Sequence, residues 1–278
     1  MKKPDPQEFT QQNRRAWNEI AAVRNKVFPP AEFFAQGGCT LSPRIIEAAQ
    51  LAPGSSLPFG SAKRVLHLQC ATGEDTLSWA GLGAEAYGVD ISELQVAIAN
   101  QKAREAGLPA RFAAADVYDC APSGTPGVPG ALPADWPAQY DVVFTGGGAL
   151  VWLPDITRWA QIVAGLLKAG GRLVLEDIHP ISGILWVEDG QLQLAGDYFG
   201  RGKTQAETGW SHFKGGEDAK ETKYEFNWPL GDIVTALAQA GLRIERLEEF
   251  PGGPEYRFKD RQDESMRLPG DFLLTARK

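Results

Sequence analysis

The residues best placed to do chemistry lie between Val65 and Ser92. An apolar run, Val65, Leu66 and Leu68, stops at the small-residue turn Cys70-Ala71-Thr72-Gly73. A helical pattern follows, with Leu77 and Ala80 on one side and Gly81 and Gly83 near its end. A second short run, Ala86 to Val89, ends in Asp90. Strand, tight turn, helix, strand and terminal carboxylate form a nucleotide-binding unit. Small turn residues leave room for backbone to approach a ligand. An aspartate at a strand tip can accept hydrogen bonds from both hydroxyls of a ribose. A dinucleotide site needs three glycines in G-x-G-x-x-G spacing, and this turn has only Gly73. The expected ligand is therefore an adenosine without a pyrophosphate.

Other reactive groups fall at the ends of later apolar runs. Asp116 follows Arg111 to Ala115, and Thr145 and Gly146 close the buried run that begins at Tyr140. Glu176-Asp177-Ile178-His179-Pro180 ends a further run from Arg172. His179 titrates near neutrality and is a candidate general base. Its alternative is a hydrogen-bonded structural residue ahead of Pro180. Glu176 alternates onto the face of Ile178, where burial would raise its pKa. No histidines and carboxylates have metal-ligand spacing, so no metal is expected. Cys39, Cys70 and Cys120 are too scattered for a disulfide framework.

These groups must be held by alternating strands and helices. Residues 6–23 read as a polar helix with an apolar stripe (Phe9, Ala16, Trp17, Ile20, Val23), ended by Pro29-Pro30. Ser42-Pro43 opens a short helix, and Pro53 to Ala62 reads as a loop. Ser92 and Gln95 fit a capping box, with Gly107 as the C-terminal stop. Pro122 to Pro137 reads as an irregular surface insertion. Pro154 to Lys168 and Leu230 to Ala240 are helices, Leu242 to Phe250 a strand, and Phe272 to Ala276 the last strand. Residues 180–228 break this rhythm and read as an antiparallel excursion, its stretch from Gly200 to Glu225 as mobile or surface-exposed. Strand–helix alternation implies a parallel sheet covered on both faces.

The chain has 278 residues, 43% of them hydrophobic, enough for one large domain with additions. A net charge of −7 argues against nucleic acid as the main partner. The start has no apolar segment and no run approaches a membrane span, so a cytoplasmic protein is expected.

The segment Val65-Leu66-His67-Leu68-Gln69-Cys70-Ala71-Thr72-Gly73 resembles motif I of the class I S-adenosylmethionine-dependent methyltransferases, usually V-L-D-L-G-C-G-T-G. His67 replaces the acidic residue, Gln69 the first glycine and Ala71 the second. Gln69 and Ala71 suit the turn provided that neither needs positive φ. Asn13-Arg14-Arg15-Ala16-Trp17-Asn18 resembles the leading helix of the small-molecule members, where it lies over the cofactor. The resemblance implies an α/β, doubly wound, mostly parallel seven-stranded sheet whose last strand is antiparallel, with the excursion after the fifth strand. It implies a helical lid segment over 1–61 and a core over 62–278, interrupted at about 180–228.

The resemblance also implies S-adenosylmethionine as cofactor and assigns its contacts. The backbone of Gln69, Cys70, Ala71, Thr72 and Gly73 lines the methionine part. Asp75 faces its carboxylate or caps the helix, and Glu74 is read as a cap. Asp90 holds the ribose, or caps beside Ser92. Ile91 packs on the adenine. Asp116 takes the adenine amino group, or is a solvated loop carboxylate, and Val117 offers its amide. Thr145 and Gly146 lie where cofactor and acceptor meet, or serve only the turn. Arg24 reaches the cofactor carboxylate or, the favoured reading, is a solvated helix-face residue. Trp152, Trp186, Tyr198, Phe199 and Trp210 form an acceptor pocket or the excursion's own core. The expected activity is methyl transfer to a small molecule, with Glu176 and His179 as candidate bases. A non-catalytic cofactor-binding protein and a nicotinamide-dependent oxidoreductase are the rivals.

Overall fold

The structure is a computed structural model and describes residues 6–49, 63–120, 132–201 and 203–278. The expected loop at Pro53 to Ala62, and residues 122–131 of the expected insertion, lie outside the described residues.

The chain opens with α1 (Pro6–Val27), α2 (Ala31–Ala35) and α3 (Pro43–Ala49). The nucleotide-binding unit follows as β1 (Arg64–Leu68), α4 (Glu74–Gly81) and β2 (Glu85–Asp90). Next come α5 (Glu93–Ala106), β3 (Arg111–Ala114), β4 (Tyr140–Gly146), α6 (Ile156–Leu166) and β5 (Leu167–Ile178). The excursion contributes β6 (Leu185–Glu188), β7 (Gln191–Leu194), β8 (Thr204–Glu207) and β9 (Lys223–Phe226). The core resumes with α7 (Leu230–Gln239), β10 (Arg243–Pro251), α8 (Glu255–Phe258), α9 (Gln262–Ser265) and β11 (Pro269–Arg277).

The main sheet has seven strands in the order β10-β11-β5-β4-β1-β2-β3. β1 pairs in parallel with β2 and β4, β2 with β3, and β4 with β5. β11 runs antiparallel to both of its neighbours, β5 and β10. The sequence reason is plain in β4, whose residues from Tyr140 to Thr145 are all buried, as a strand covered on both faces requires. One face packs against α6 and α7 through Trp159, Val163, Ile233 and Leu237. The other packs against α3, α4 and α5 through Ile45, Leu77, Trp79 and Ala99. The strand order reverses between β1 and β4, which opens a crevice at their carboxyl ends.

The excursion is antiparallel, as expected: β6 pairs with β7 and β8 with β9. Its second half is not simply surface. Trp210 is fully buried and packs with Phe213 against Ala16 and Ile20 of α1. The sequence reading also passed over α8 and α9, which are single turns between β10 and β11. β5 starts directly at the end of α6, five residues before the apolar run at Arg172. No helix of the described residues is long and apolar enough to cross a membrane.

Candidate functional site

The turn after β1 carries the clearest departure from expectation. Gln69 and Ala71 both adopt left-handed backbone, with φ of 59° and 49°. Two non-glycine residues therefore hold a conformation that costs of order 1–3 kcal/mol each. Gly73 is also left-handed, with φ 86°. A Cβ there would lie 2.8 Å from Ala99 and from the Phe112 ring, so close packing as well as the turn requires glycine.

Asp90 ends β2 beside this turn. Its carboxylate accepts from the amides of Ala71 and Ser92, at 2.8 and 2.9 Å. Burial pushes its pKa up, against the pull of those amides. Ser92 caps α5 by accepting from Gln95 N. The return bond of a capping box is absent, because Asp90 takes the Ser92 amide and Gln95 Oε1 is buried without a partner. Ile91 is half-buried beside Asp90.

His67 lies inside β1, with Nδ1 3.0 Å from the Thr76 hydroxyl. Burial pushes its pKa down to about 3, so the imidazole is neutral at pH 7. Cys70 is also buried, and burial raises its thiol pKa.

Glu74 does not cap α4 as expected: the cap position is Gly73, with no side-chain cap bond. Thr72 donates to Glu74 at 2.6 Å, Arg24 at 3.1 Å and Lys102 at 2.5 Å. Burial alone would raise its pKa, but Arg24 and Lys102 hold it below the ordinary glutamate value. Arg24 also donates to the Thr72 hydroxyl. The solvated arginine expected on the helix face is thus an ion-pair partner at the mouth of the turn, with its side chain 12% exposed. Asp75 accepts from the Thr40 hydroxyl, and burial raises its pKa.

α1 is fastened across the strand ends at several points. Arg14 and Asn18 bond Glu93 at the start of α5, and Asn18 Oδ1 accepts from the Ser92 hydroxyl. Asn13 exchanges two hydrogen bonds with the Tyr224 backbone in β9. Trp17 lies 5.1 Å from Trp152 and 4.4 Å from Trp210, between centroids.

Further along the crevice, Asp116 is half-buried and accepts from Tyr118 N, capping a 3₁₀ turn that contains buried Val117. Thr145 donates its hydroxyl to Leu68 O. A Cβ at Gly146 would lie 2.3 Å from Glu176 O, so the approach of β5 requires this glycine. Gln69 Nε2 donates to Ala149 O at 2.9 Å, which joins the turn to the loop after β4.

Sequence reasoning missed Asp177. Its carboxylate is fully buried and accepts from Gly148 N at 2.6 Å and Leu150 N at 2.9 Å. Burial raises its pKa to about 6 despite these amides. The signal was present as a carboxylate at an otherwise buried strand end facing a triple-glycine loop.

The two candidate bases are engaged elsewhere. Glu176 binds Arg44 and accepts from Ser42 at 3.4 Å. His179 Nδ1 accepts from Ile181 N, so the proton sits on Nε2, which faces Glu249 of β10 at 2.9 Å. Of the aromatic group, Trp152 and Trp210 meet on α1. Trp186 packs with Tyr256, and Tyr198 with Phe199.

The profile of a methyltransferase-domain family matches residues 66–173. That segment, from β1 to β5, is similar to a methyltransferase domain. The "Ubiquinone biosynthesis O-methyltransferase" of Bordetella pertussis is 33% identical over 119 residues, 43% of this chain and 44% of that protein. The chain thus spans less than half the length of such relatives. A solved S-adenosylmethionine-dependent methyltransferase from Mesorhizobium loti shares the fold, with TM-score 0.54 and 24% identity over 78% of this chain and 92% of its own. So does a [4+2]-cyclase, SpnF, with TM-score 0.59 and 18% identity over 97% and 96%. S-adenosylmethionine is the cofactor of this family. The residues present suit it: Asp90 ends β2 beside the turn, and Gln69 and Gln95 keep buried acceptor oxygens without partners.

Proposed function

We propose that this protein transfers a methyl group from S-adenosylmethionine to a small-molecule acceptor. The observation that carries the reading is the buried Asp90 carboxylate, bonded to Ala71 at the motif I turn and ending the adjacent strand. When bound, the cofactor supplies an activated methyl group on a sulfonium; the protein's work is positioning and exclusion of water. Asp90 would hold the ribose hydroxyls, with Ile91 and Val117 flanking the adenine and Asp116 accepting from its amino group. The turn from Gln69 to Gly73 would line the amino-acid end. Arg24 would bind the cofactor's carboxylate, the less favoured of its two sequence readings, and Asp75 would border it. Thr145 and Gly146 would keep the meeting point with the acceptor narrow and close to backbone.

The lone pair of the acceptor atom forms the new bond to carbon as the carbon–sulfur bond breaks, and sulfur keeps that electron pair. A base is needed only where the attacking atom carries a proton that must leave. His179 has both ring nitrogens occupied and Glu176 is ion-paired, so we assign both to holding strand ends rather than to proton transfer. The helix α1, within the expected lid over 1–61, would close the crevice. The relatives' name speaks of an oxygen acceptor, which makes small molecules with a hydroxyl the first class to screen. The acidic net charge of −7 supports a small acceptor over nucleic acid, and a cytoplasmic location remains our reading.

The test is turnover of labelled methyl from S-adenosylmethionine over a panel of hydroxylated small molecules, with Asp90→Ala as control. Transfer that Asp90→Ala abolishes supports the reading. Tight cofactor binding with no transfer across the panel favours the rival, a cofactor-binding protein of this fold with another role.

A further inference from the structure

The excursion borders a cavity of about 170 Å³ between β6, β8, β9 and α8. Four of its lining residues carry aromatic rings: Trp186, Trp210, His212 and Tyr256. His212 stacks on Tyr256, with centroids 5.1 Å apart. Burial pushes the His212 pKa down to about 4, helped by Lys223 and Arg257, so its ring is neutral at pH 7. Trp210 belongs as well to the cluster on α1, where it meets Trp17 and Trp152.

The lining restricts what fits. An apolar cavity of about 150 Å³ takes benzene, so the volume suits a single ring of that size, and aromatic walls favour an aromatic one. A cation does not suit these rings, because the protein's own cations already sit against them. Lys223 Nζ lies 5.5 Å from the Trp210 centroid, and the Arg257 guanidinium lies 4.7 Å from that of Trp186 and 5.5 Å from that of Tyr256. An anion does not suit the cavity either. Lys223 is committed to Glu207 at 2.8 Å and Arg257 to the Gly183 carbonyl at 2.9 Å, while Glu207, Glu217 and Glu225 all line the space.

Glu225 is the group left unfilled. Its side chain is 22% exposed and lines the cavity, so a ligand can reach it. Among the described residues its carboxyl accepts no hydrogen bond: Lys223 Nζ stands 3.8 Å away, too far for one. Burial raises its pKa, against the pull of Lys223. A carboxylate short of donors behaves this way, and a ligand donor would make good the lack.

We propose that this cavity binds a neutral, single-ring aromatic molecule bearing a hydrogen-bond donor. The ring lies among Trp186, Trp210 and Tyr256, and the donor meets Glu225. The site goes beyond the methyltransferase reading and does not depend on it.

The experiment is an NMR titration of the full chain, without cofactor, followed at the indole N–H signals of Trp186 and Trp210. The probes are phenol, toluene and benzylamine, which share a ring and differ in donor and charge. Phenol should shift both signals saturably and bind about tenfold more tightly than toluene, as one hydrogen bond to a charged acceptor implies. Glu225→Met should abolish that preference and leave toluene binding unchanged. Glu225→Gln keeps an acceptor oxygen without the charge and should keep part of the preference. A melt of each variant separates lost recognition from lost folding, and the comparison of phenol with toluene on the wild type needs no variant. No shift at either indole, equal affinity for phenol and toluene, or a preference that survives Glu225→Met overturns the proposal. Tighter binding of benzylamine than of phenol overturns it in favour of a cation site.

Discussion

Glu74 shows how much a single side chain can carry. It is buried between Arg24 and Lys102, so Glu74→Ala leaves two buried cations without their carboxylate. Breaking such a buried set costs about 3–5 kcal/mol, which a thermal melt of the variant should show as a large drop in Tm. Because its pKa is held down, its contribution is present above the ordinary glutamate value and lost as pH falls through the lower folded value. Asp177 has the opposite sign. Its pKa is raised to about 6, so its contribution is fully present below the ordinary aspartate value and lost as pH rises through about 6. The stability difference between Asp177→Asn and wild type should therefore shift toward the variant as the buffer goes from about pH 5 to about pH 8. A difference that does not change with pH would mean that Asp177 does not titrate in this range. Turnover of the wild type should fall below about pH 6 as protonation weakens the clamp on Gly148 and Leu150, and Asp177→Asn should lose that dependence.

At the scale of elements, α1 and β9 depend on each other. The Asn13 amide satisfies both the N–H and the C=O of Tyr224. Asn13→Ala leaves both without that partner, at a cost of about 1–3 kcal/mol. Hydrogen exchange of the Tyr224 amide and of α1 should accelerate together, with the core strands unaffected; an unchanged rate would separate the two elements. Much of this level was legible. Apolar runs bounded by turns marked β1, β2, β4, β5 and β11 because burial on both faces leaves a continuous hydrophobic stretch. Asn13 to Asn18 marked the leading helix. The excursion was harder to read, since its order comes from contacts far apart in sequence: Asn13 and Tyr224 are 211 residues apart, and no local periodicity records such a pairing. The turns α8 and α9 are too short to leave a periodic signal.

For the whole molecule, the reversal of strand order between β1 and β4 decides where a ligand goes. The strand-end carboxylates Asp90 and Asp116 were legible because type and position coincide. What the sequence hid was conformation and partnership: the left-handed backbone of Gln69 and Ala71, the ion pairs of Arg24, and the clamp by Asp177. Each depends on what a second element brings alongside, which a linear pattern does not encode. Asp90→Ala removes the proposed ribose acceptor and also the partner of two amides. It should weaken S-adenosylhomocysteine binding by about tenfold or more and lower Tm as well. Titration of the variant beside a melt would read both effects. The most direct measurement is calorimetric titration of the wild-type protein with S-adenosylmethionine and, separately, with NADH. Saturable binding of S-adenosylmethionine and none of NADH is the expected result; binding of NADH alone would contradict the assignment of the crevice.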